Sequence, residues 1–420
     1  MKVFKFGGAS VKDVESVRNV VSVLKKFPNQ KIIVVVSAMG KITNALEKLT
    51  NAFFLKQKDA TSTLEEIRKY HFDIIRNLFP DSYNPIYENV QIVFNEIEKK
   101  IISSPSDEYG KEYDQIVSVG EIVSTKIVSA YLNEFGVKND WLDIRGIIKT
   151  DNTYREGKVN WKLTEKFAKE YFGMHKSEII LTQGFLGGTS DNFTTTLGRE
   201  GSDYTAAILA YCTNAESVII WKDVPGVMNA DPKWFDETKL IDQLSYQDAI
   251  ELSYYGATVI HPKTIKPLQN KKIPLYVKSF LHPDEKGTMI NDKQSQLPIP
   301  CFIFKVNQIL LSISPKDFSF IVEENFSDIF KIFSEYHVKI NVMQNSAISF
   351  SVCLDNNTIK IPTLVIALQE KFRVLYNDKL ELITIRYYNQ PTIDRVCIGK
   401  KILLEHKSRY TVQLVVKNVM

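Results

Sequence analysis

Apolar positions change period several times along the chain, and each change marks an element. Val3 to Phe6 is a short apolar-rich run closed by Gly7 and Gly8, which reads as a buried strand ending in a tight turn. Val14, Val17, Val20, Val21 and Leu24 then recur at helical spacing until Pro28 stops them, and Ile32 to Val36 forms a second apolar run. Strand, glycine turn, helix and strand in immediate succession make a βαβ unit, which predicts a largely parallel sheet with helices on its faces. From about Asn44 to Glu134 the pattern is mainly helical, with Leu46, Leu49 and Phe53 at spacings of three and four and an amphipathic stretch over Ile116 to Leu132. Strand-like runs return at Ile179 to Leu181, Val218 to Trp221 and Leu275 to Val277, each followed by polar or turn-forming residues.

A polar stretch carrying two prolines, 286–300, reads as a linker between an α/β domain over 1–285 and a carboxyl-terminal region over 301–420. In that region strand-like Ile309 to Ser314, helical Phe326 to Tyr336, mostly strand-like Ile340 to Leu354, helical Ile361 to Phe372 and strand-like Lys379 to Ile385 follow the βαββαβ order of a ferredoxin-like α+β unit, complete over about 309–388. Two further strand-like runs fill Lys400 to Val416.

The 420 residues suffice for two or three domains at about 150 residues each. Residues up to 300 carry 38 basic and 38 acidic side chains and the remainder 15 and 11, so no segment has the basic surplus of a nucleic-acid binder. Cys212, Cys301, Cys353 and Cys397 lack the close pairing of a zinc site or disulfide framework and are expected to be buried thiols in a reducing compartment. There is no apolar leader segment and no run approaching 18 apolar residues, so a soluble, unprocessed, cytoplasmic protein without membrane partners is expected.

Several loops carry residue types suited to an anionic ligand. In Lys5-Phe6-Gly7-Gly8-Ala9-Ser10 two glycines let backbone N–H groups approach a phosphate beside a lysine, although a tight βα turn explains the same residues. Gly198-Arg199-Glu200-Gly201-Ser202-Asp203 leads into an Ala-rich helical run for which Ser202 or Asp203 is the expected N-cap; the helix end and Arg199 suit a carboxylate or phosphate, although taken alone the segment reads first as a capped helix with a surface arginine. The loop from Trp221 to Lys233, with Pro225-Gly226 as an expected type II turn, follows a strand and is placed to enclose a nucleotide, although a structural turn with solvated charges explains the same residues. Glu121, beside Gly120 in an apolar helical pattern, needs a partner if buried. Thr43, in the loop after the second strand, reads as a helix N-cap or a substrate contact. His261 precedes Pro262 without any nucleophile motif and is assigned to loop packing; no metal-ligating cluster is expected.

Taken in order, KFGGAS, SAMGKITN, SVGE, GREGSDYTAA, WKDVPGVMNADP and YYGATVIHPKT resemble the aspartate kinases of the amino acid kinase family. The resemblance spans nearly the whole chain, because in that family the catalytic domain is followed by regulatory ACT domains of ferredoxin-like fold. It implies ATP-dependent phosphorylation of the β-carboxylate of L-aspartate, the first step toward lysine, threonine and methionine, with Mg²⁺ accompanying ATP. It further implies a homo-oligomer, dimeric through the ACT region, inhibited by lysine or threonine. By the same resemblance Lys5, Gly7, Gly8 and Ala9 contact ATP phosphates, and Lys222, Asp223, Met228, Lys233 and Thr258 surround the nucleotide. Thr43, Glu121, Arg199 and Ser202 bind aspartate, Glu121 at its amino group and Arg199 at its α-carboxylate, while Asp203 orients the phosphate-binding groups.

Four positions depart from the family's usual residues: Glu200 stands where glycine is frequent, Met228 for tyrosine, Lys222 for threonine and Thr258 for lysine. The second ACT unit is expected to be reduced, since the chain beyond 388 has room only for strands. The competing readings are another amino acid kinase, acting on glutamate, acetylglutamate or carbamate, and a catalytically silent amino-acid sensor. An acceptor carboxylate is already ionised at neutral pH, so its phosphorylation needs alignment and charge neutralisation rather than a general base, in keeping with the lack of a His or Ser catalytic motif.

Overall fold

The computed structural model describes residues 1–57, 59–235, 237–257, 260–293, 299–317 and 319–419. The chain forms two compact units, one of residues 1–227, 242–250 and 259–295, the other of 228–241, 251–258 and 296–420.

The first unit opens with β1 (Lys2–Phe6), α1 (Val14–Lys25) and β2 (Ile32–Val36). Asp13 caps α1 by accepting the Ser16 N–H at 2.8 Å, and the helix buries Val17, Val20, Val21, Val23 and Leu24. Four helices follow, α2 (Ile42–Phe54), α3 (Ala60–Leu78), α4 (Ile86–Ile102) and α5 (Tyr109–Glu134). Next come β3 (Asp140–Leu142), α6 (Trp161–Met174), β4 (Ile179–Gln183), the β5 (Leu186–Gly188) and β6 (Thr194–Thr196) hairpin, α7 (Gly201–Thr213) and β7 (Ser217–Lys222). The series continues through β8 (Gln243–Ser245), α8 (Tyr246–Tyr255), of which residues 251–255 fall in the second unit, α9 (Pro262–Lys271), β9 (Leu275–Ser279) and β10 (Thr288–Asn291).

Eight strands form one sheet in the order β3-β4-β2-β1-β7-β9-β10-β8. Only the β9–β10 pairing is antiparallel, so the fold is the expected mainly parallel α/β sheet. Every residue of β2 and β4 is buried, as required of parallel strands covered on both faces. β1 lies between β2 and β7, with Lys5 in register with Val35 and Ile220. The strand order runs outward from β1 in both directions, which opens a crevice at the carboxyl ends of the central strands.

The second unit contains β11 (Cys301–Pro315), α10 (Glu323–Glu335), β12 (Ile340–Asn345), β13 (Phe350–Asp355), α11 (Lys360–Lys371), β14 (Phe372–Arg386), α12 (Gln390–Cys397), β15 (Lys400–Lys407) and β16 (Thr411–Asn418). Its six strands pair antiparallel in the order β12-β13-β11-β14-β16-β15. β11 and β14 run 15 residues each, with register shifts between Lys305 and Leu310 that divide the long ladder. Beyond that division Ile309, Leu311 and Ile313 pack with Ile329 and Phe333 of α10 and Leu364 and Leu368 of α11. On its other side Ile383, Ile385, Val412 and Leu414 pack with Ile393 and Val396 of α12. Helix α12 is absent from the elements the sequence pattern predicts, because eight residues with two buried apolar positions carry too weak a period.

The cysteines form no disulfide, and Cys397 is half-buried rather than buried like the other three. Among the described residues no helix is long and apolar enough to cross a membrane.

Candidate active site

The site of interest is built where the chain leaves the central strands. Ser37 donates its N–H to the Phe6 carbonyl at 3.1 Å, Gly184 to Val36 at 2.9 Å, and Gly40 to Gly8 at 3.0 Å, so the loops after β1, β2 and β4 are stitched together by backbone bonds. A Cβ on Gly8 would lie 2.8 Å from the Gly40 carbonyl oxygen and 2.9 Å from that of Ala38. Only a residue without a side chain lets the first two loops approach so closely. They border a cleft of about 830 Å³ in the first unit.

Lys5 points from β1 into this cleft, and its Nζ lies 2.6 Å from Asp203 Oδ1 in the first turn of α7. Both side chains are nearly buried, at 11% and 5% exposure, so removing either charge would leave the other poorly solvated. The contact brings charges together without hydrogen-bond alignment at that oxygen. Neighbouring Ser202 also lines the cleft. The N-cap of α7 is Glu200, in the left-handed conformation at φ 54°, instead of the expected Ser202 or Asp203, both of which lie inside the helix. The Glu200 carbonyl accepts the N–H groups of Asp203 and Tyr204 at 3.0 and 3.1 Å, and Gly201 donates to Gly198 at 3.0 Å. Arg199 is exposed at the cleft wall, leaving its guanidinium available for a bidentate contact.

Glu121 enters from α5. It is only 2% exposed; Oε1 accepts a long 3.4 Å bond from the Ala38 N–H, and Oε2 has no partner among the described residues. Burial pushes its carboxyl up to about 8, against the smaller opposing effect of the Ala38 N–H. A buried acid so poorly matched within the protein calls for a cationic ligand group. Its neighbour Gly120 makes the approach possible, since a Cβ there would meet Leu46, Ala38 and Ile42 side chains at 3.0 to 3.2 Å. Thr43 lies inside the first turn of α2, whose N-cap is Lys41, and it lines the cleft rather than capping the helix.

Of the residues singled out from sequence, Lys5, Gly8, Thr43, Glu121, Arg199, Ser202, Asp203 and Lys222 line this one cleft. Gly7 is not among the lining residues, and a Cβ there would lie 3.2 Å from Lys5 Nζ. Ala9 and Asp223 are exposed outside the lining. Met228 and Lys233 belong to the second unit, and Thr258 lies outside the described residues. Gly226 has φ 157°, near-extended, so the expected type II turn, which needs a φ near +80°, does not form. His261 caps α9, its Nδ1 accepting the Lys263 N–H at 3.2 Å, in keeping with a packing role.

Tyr113, Arg155 and Phe185 also line the cleft and carry no motif that singles them out. Arg155 adopts φ 68° and stacks over the Tyr113 ring, 4.7 Å from its centroid. Asp114 fixes this loop by accepting the Arg155 N–H at 2.9 Å and the Thr196 N–H and hydroxyl at 3.0 and 2.7 Å. Burial raises the Asp114 carboxyl to about 6 despite these donors. Tyr113 was legible in principle, lying on the same helix as Glu121, but Arg155 comes from an irregular loop with no periodicity to read.

A sequence model of the amino acid kinase family matches residues 1–279. Lysine-sensitive aspartokinase 3 of Escherichia coli (strain K12) is 29% identical over 398 residues, covering 91% of this chain and 86% of that protein. The crystal structure of E. coli aspartokinase III with aspartate and ADP (R-state) superposes with a TM-score of 0.82 at 26% identity, covering 99% of this chain and 96% of the other. The structure of E. coli aspartokinase III with lysine and aspartate (T-state) gives a TM-score of 0.80 at 26% identity, covering 99% and 95%. The chain spans less than half of the bifunctional aspartokinase/homoserine dehydrogenases it also resembles, 42% of one from Arabidopsis thaliana.

Proposed function

The chain belongs to the amino acid kinase family, and we propose that it is an aspartate kinase, transferring the γ-phosphoryl group of ATP to the β-carboxylate of L-aspartate. In this reaction a β-carboxylate oxygen bonds to the γ-phosphorus while the bond from that phosphorus to the bridging oxygen breaks, giving 4-phospho-L-aspartate and ADP. The observation that carries the reading is the convergence on one cleft of the Lys5–Asp203 pair, Arg199 and Glu121, whose Oε2 has no partner among the described residues. Its support from relatives is the similarity to an E. coli enzyme crystallised with aspartate and ADP.

Glu121 receives the substrate ammonium, which supplies the cation this buried carboxylate lacks. Arg199 grips the α-carboxylate in fork geometry, and Thr43 and Ser202 add hydroxyl contacts. Lys5, held by Asp203, faces the phosphoryl group in transfer and offsets the charge spread over its oxygens. The Gly7-Gly8 backbone and Ala9 flank the phosphates, and Lys222 and Asp223 are assigned to the nucleotide. Mg²⁺ fits as a cation carried by the nucleotide phosphates, because among the described residues no three His, Cys, Asp or Glu side chains converge and Asp203 already has Lys5 as its partner. When bound, it supplies further neutralisation of phosphate charge.

The carboxyl-terminal unit, with its helices on an antiparallel sheet, is assigned to regulation by an amino acid. Lysine is the proposed effector, supported by similarity to a lysine-sensitive relative, with pairing of these units between two copies of the chain. The reaction is tested by supplying Mg²⁺ and ATP with aspartate, glutamate, acetylglutamate or carbamate in turn and trapping the acyl phosphate with hydroxylamine. Hydroxamate from aspartate alone is expected; formation from another acceptor and not from aspartate reassigns the substrate, and none from any acceptor removes the kinase reading.

A further inference from the structure

We infer that Glu200 is a positioning residue, a strained tether that fixes the Arg199–Asp203 segment to the start of α9. The inference rests on the aspartate kinase reading for its kinetic consequence, though not for the tether itself. Glu200 lines the cleft with φ 54° and ψ 29°, a left-handed conformation that glycine adopts freely and that a residue with a Cβ adopts at a cost. A strained side chain retained beside a ligand cleft is explained if it returns something its neighbours need. What Glu200 returns is visible: its Oε2 accepts the N–H of His261 at 2.9 Å.

His261 is the N-cap of α9, followed by Pro262 in its first turn, so the Glu200 carboxylate sits at the positive end of that helix. The tether therefore joins two helix starts that are far apart in sequence. On the α7 side, the Glu200 carbonyl accepts from both Asp203 and Tyr204, so the same residue organises the turn that aims Asp203 at Lys5. Arg199 directly precedes it. Without the side-chain anchor, the backbone at 200 gains freedom, and the aim of Arg199 and Asp203 loosens together.

Three variants separate this role from a purely structural one. Glu200→Gly removes the tether and the backbone strain, Glu200→Ala removes the tether and keeps the strain, and Glu200→Gln keeps an oxygen that can accept the His261 N–H. Glu200→Gly and Glu200→Ala are expected to raise the aspartate KM about 10-fold with a smaller change in the ATP KM, while Glu200→Gln stays within about 2-fold of wild type, the scale of one hydrogen bond. Melting temperature is expected to follow strain instead, with Glu200→Gly melting above Glu200→Ala. Hydrogen exchange read on the peptide covering His261–Lys263 gives a measure independent of catalysis: protection should fall in the Gly and Ala variants and persist in Gln. Wild-type aspartate kinetics in Glu200→Gly, or a Gln variant as impaired as Ala, would overturn the proposal. A wild-type protein that does not turn over aspartate removes the substrate reading alone, and the exchange pattern still decides whether the tether exists.

Discussion

Gly8 and Gly40 are bound to each other through backbone, the Gly40 N–H donating to the Gly8 carbonyl at 3.0 Å while the Gly40 carbonyl occupies the space a Gly8 side chain would need. This contact joins the loops that follow β1 and β2, and both glycines line the cleft that Lys5 enters. Gly8→Ala places a methyl group against two carbonyl oxygens that cannot swing aside. It is expected to cost about 1–3 kcal/mol of stability and to lower kcat/KM at least 10-fold, measured by thermal denaturation and steady-state kinetics. A variant with wild-type melting and turnover would mean the loops have room to spare.

Glu121 makes stability and binding depend on pH in a defined direction. Its carboxyl is raised from the ordinary 4.5 to about 8 by burial, so between those values the folded protein holds a proton that the unfolded chain has released. The stabilisation is complete below the ordinary value, declines as pH rises through this window and is gone above about pH 8, with a slope of at most about 1.4 kcal/mol per pH unit. Glu121→Gln should remove that slope in melting curves of the ligand-free protein. Aspartate, bringing an ammonium to Glu121, should expel the proton on binding, and calorimetry in buffers of differing ionisation heat would register close to one proton released near neutral pH. No release would place the ammonium elsewhere.

Arg199 is assigned the α-carboxylate. Arg199→Ala is expected to raise the aspartate KM by about 10- to 100-fold, the worth of a charge-assisted hydrogen-bonded pair, with little change in the ATP KM. Arg199→Lys should recover only part of the loss, since an ammonium cannot reproduce the planar fork. Equal loss of affinity for both substrates would assign Arg199 to the cleft's overall shape.

The carboxyl-terminal unit leads to an effector prediction. Lysine, added at fixed aspartate, should lower the initial rate, and the inhibition should weaken as aspartate is raised if lysine favours a state that binds aspartate poorly. Threonine provides the comparison arm. Rates unchanged by either amino acid would leave this unit without the regulatory role assigned to it.

The parts of this molecule governed by local pattern are legible in its sequence. β1, α1 and β2 follow from Val3–Phe6, the Val14–Leu24 periodicity and Ile32–Val36, because apolar spacing and glycine or proline punctuation specify them directly. What spacing does not encode is the meeting of distant segments, and so neither the Lys5–Asp203 ion pair nor the bond from His261 to Glu200 is visible in sequence. The N-cap of α7 differs from the expected one for a related reason: Ser202 and Asp203 have strong capping chemistry, yet the left-handed Glu200 starts the helix earlier. Arg155, from an irregular loop, reaches the cleft by tertiary packing alone, whereas Tyr113 shares its helix with Glu121. Helix α12 is short enough that its packing against β14 and β16, rather than its own pattern, identifies it.

In the proposed reaction Lys5, paired with Asp203, faces a phosphoryl group passing from ATP to aspartate. Its most direct test is ADP formation in a coupled assay with Mg²⁺, ATP and L-aspartate, comparing the wild-type protein with Lys5→Ala. The expected result is ADP release that requires aspartate, with kcat lowered by orders of magnitude in the variant and a milder change in the aspartate KM. Aspartate-dependent turnover by Lys5→Ala at a near-normal rate would contradict it.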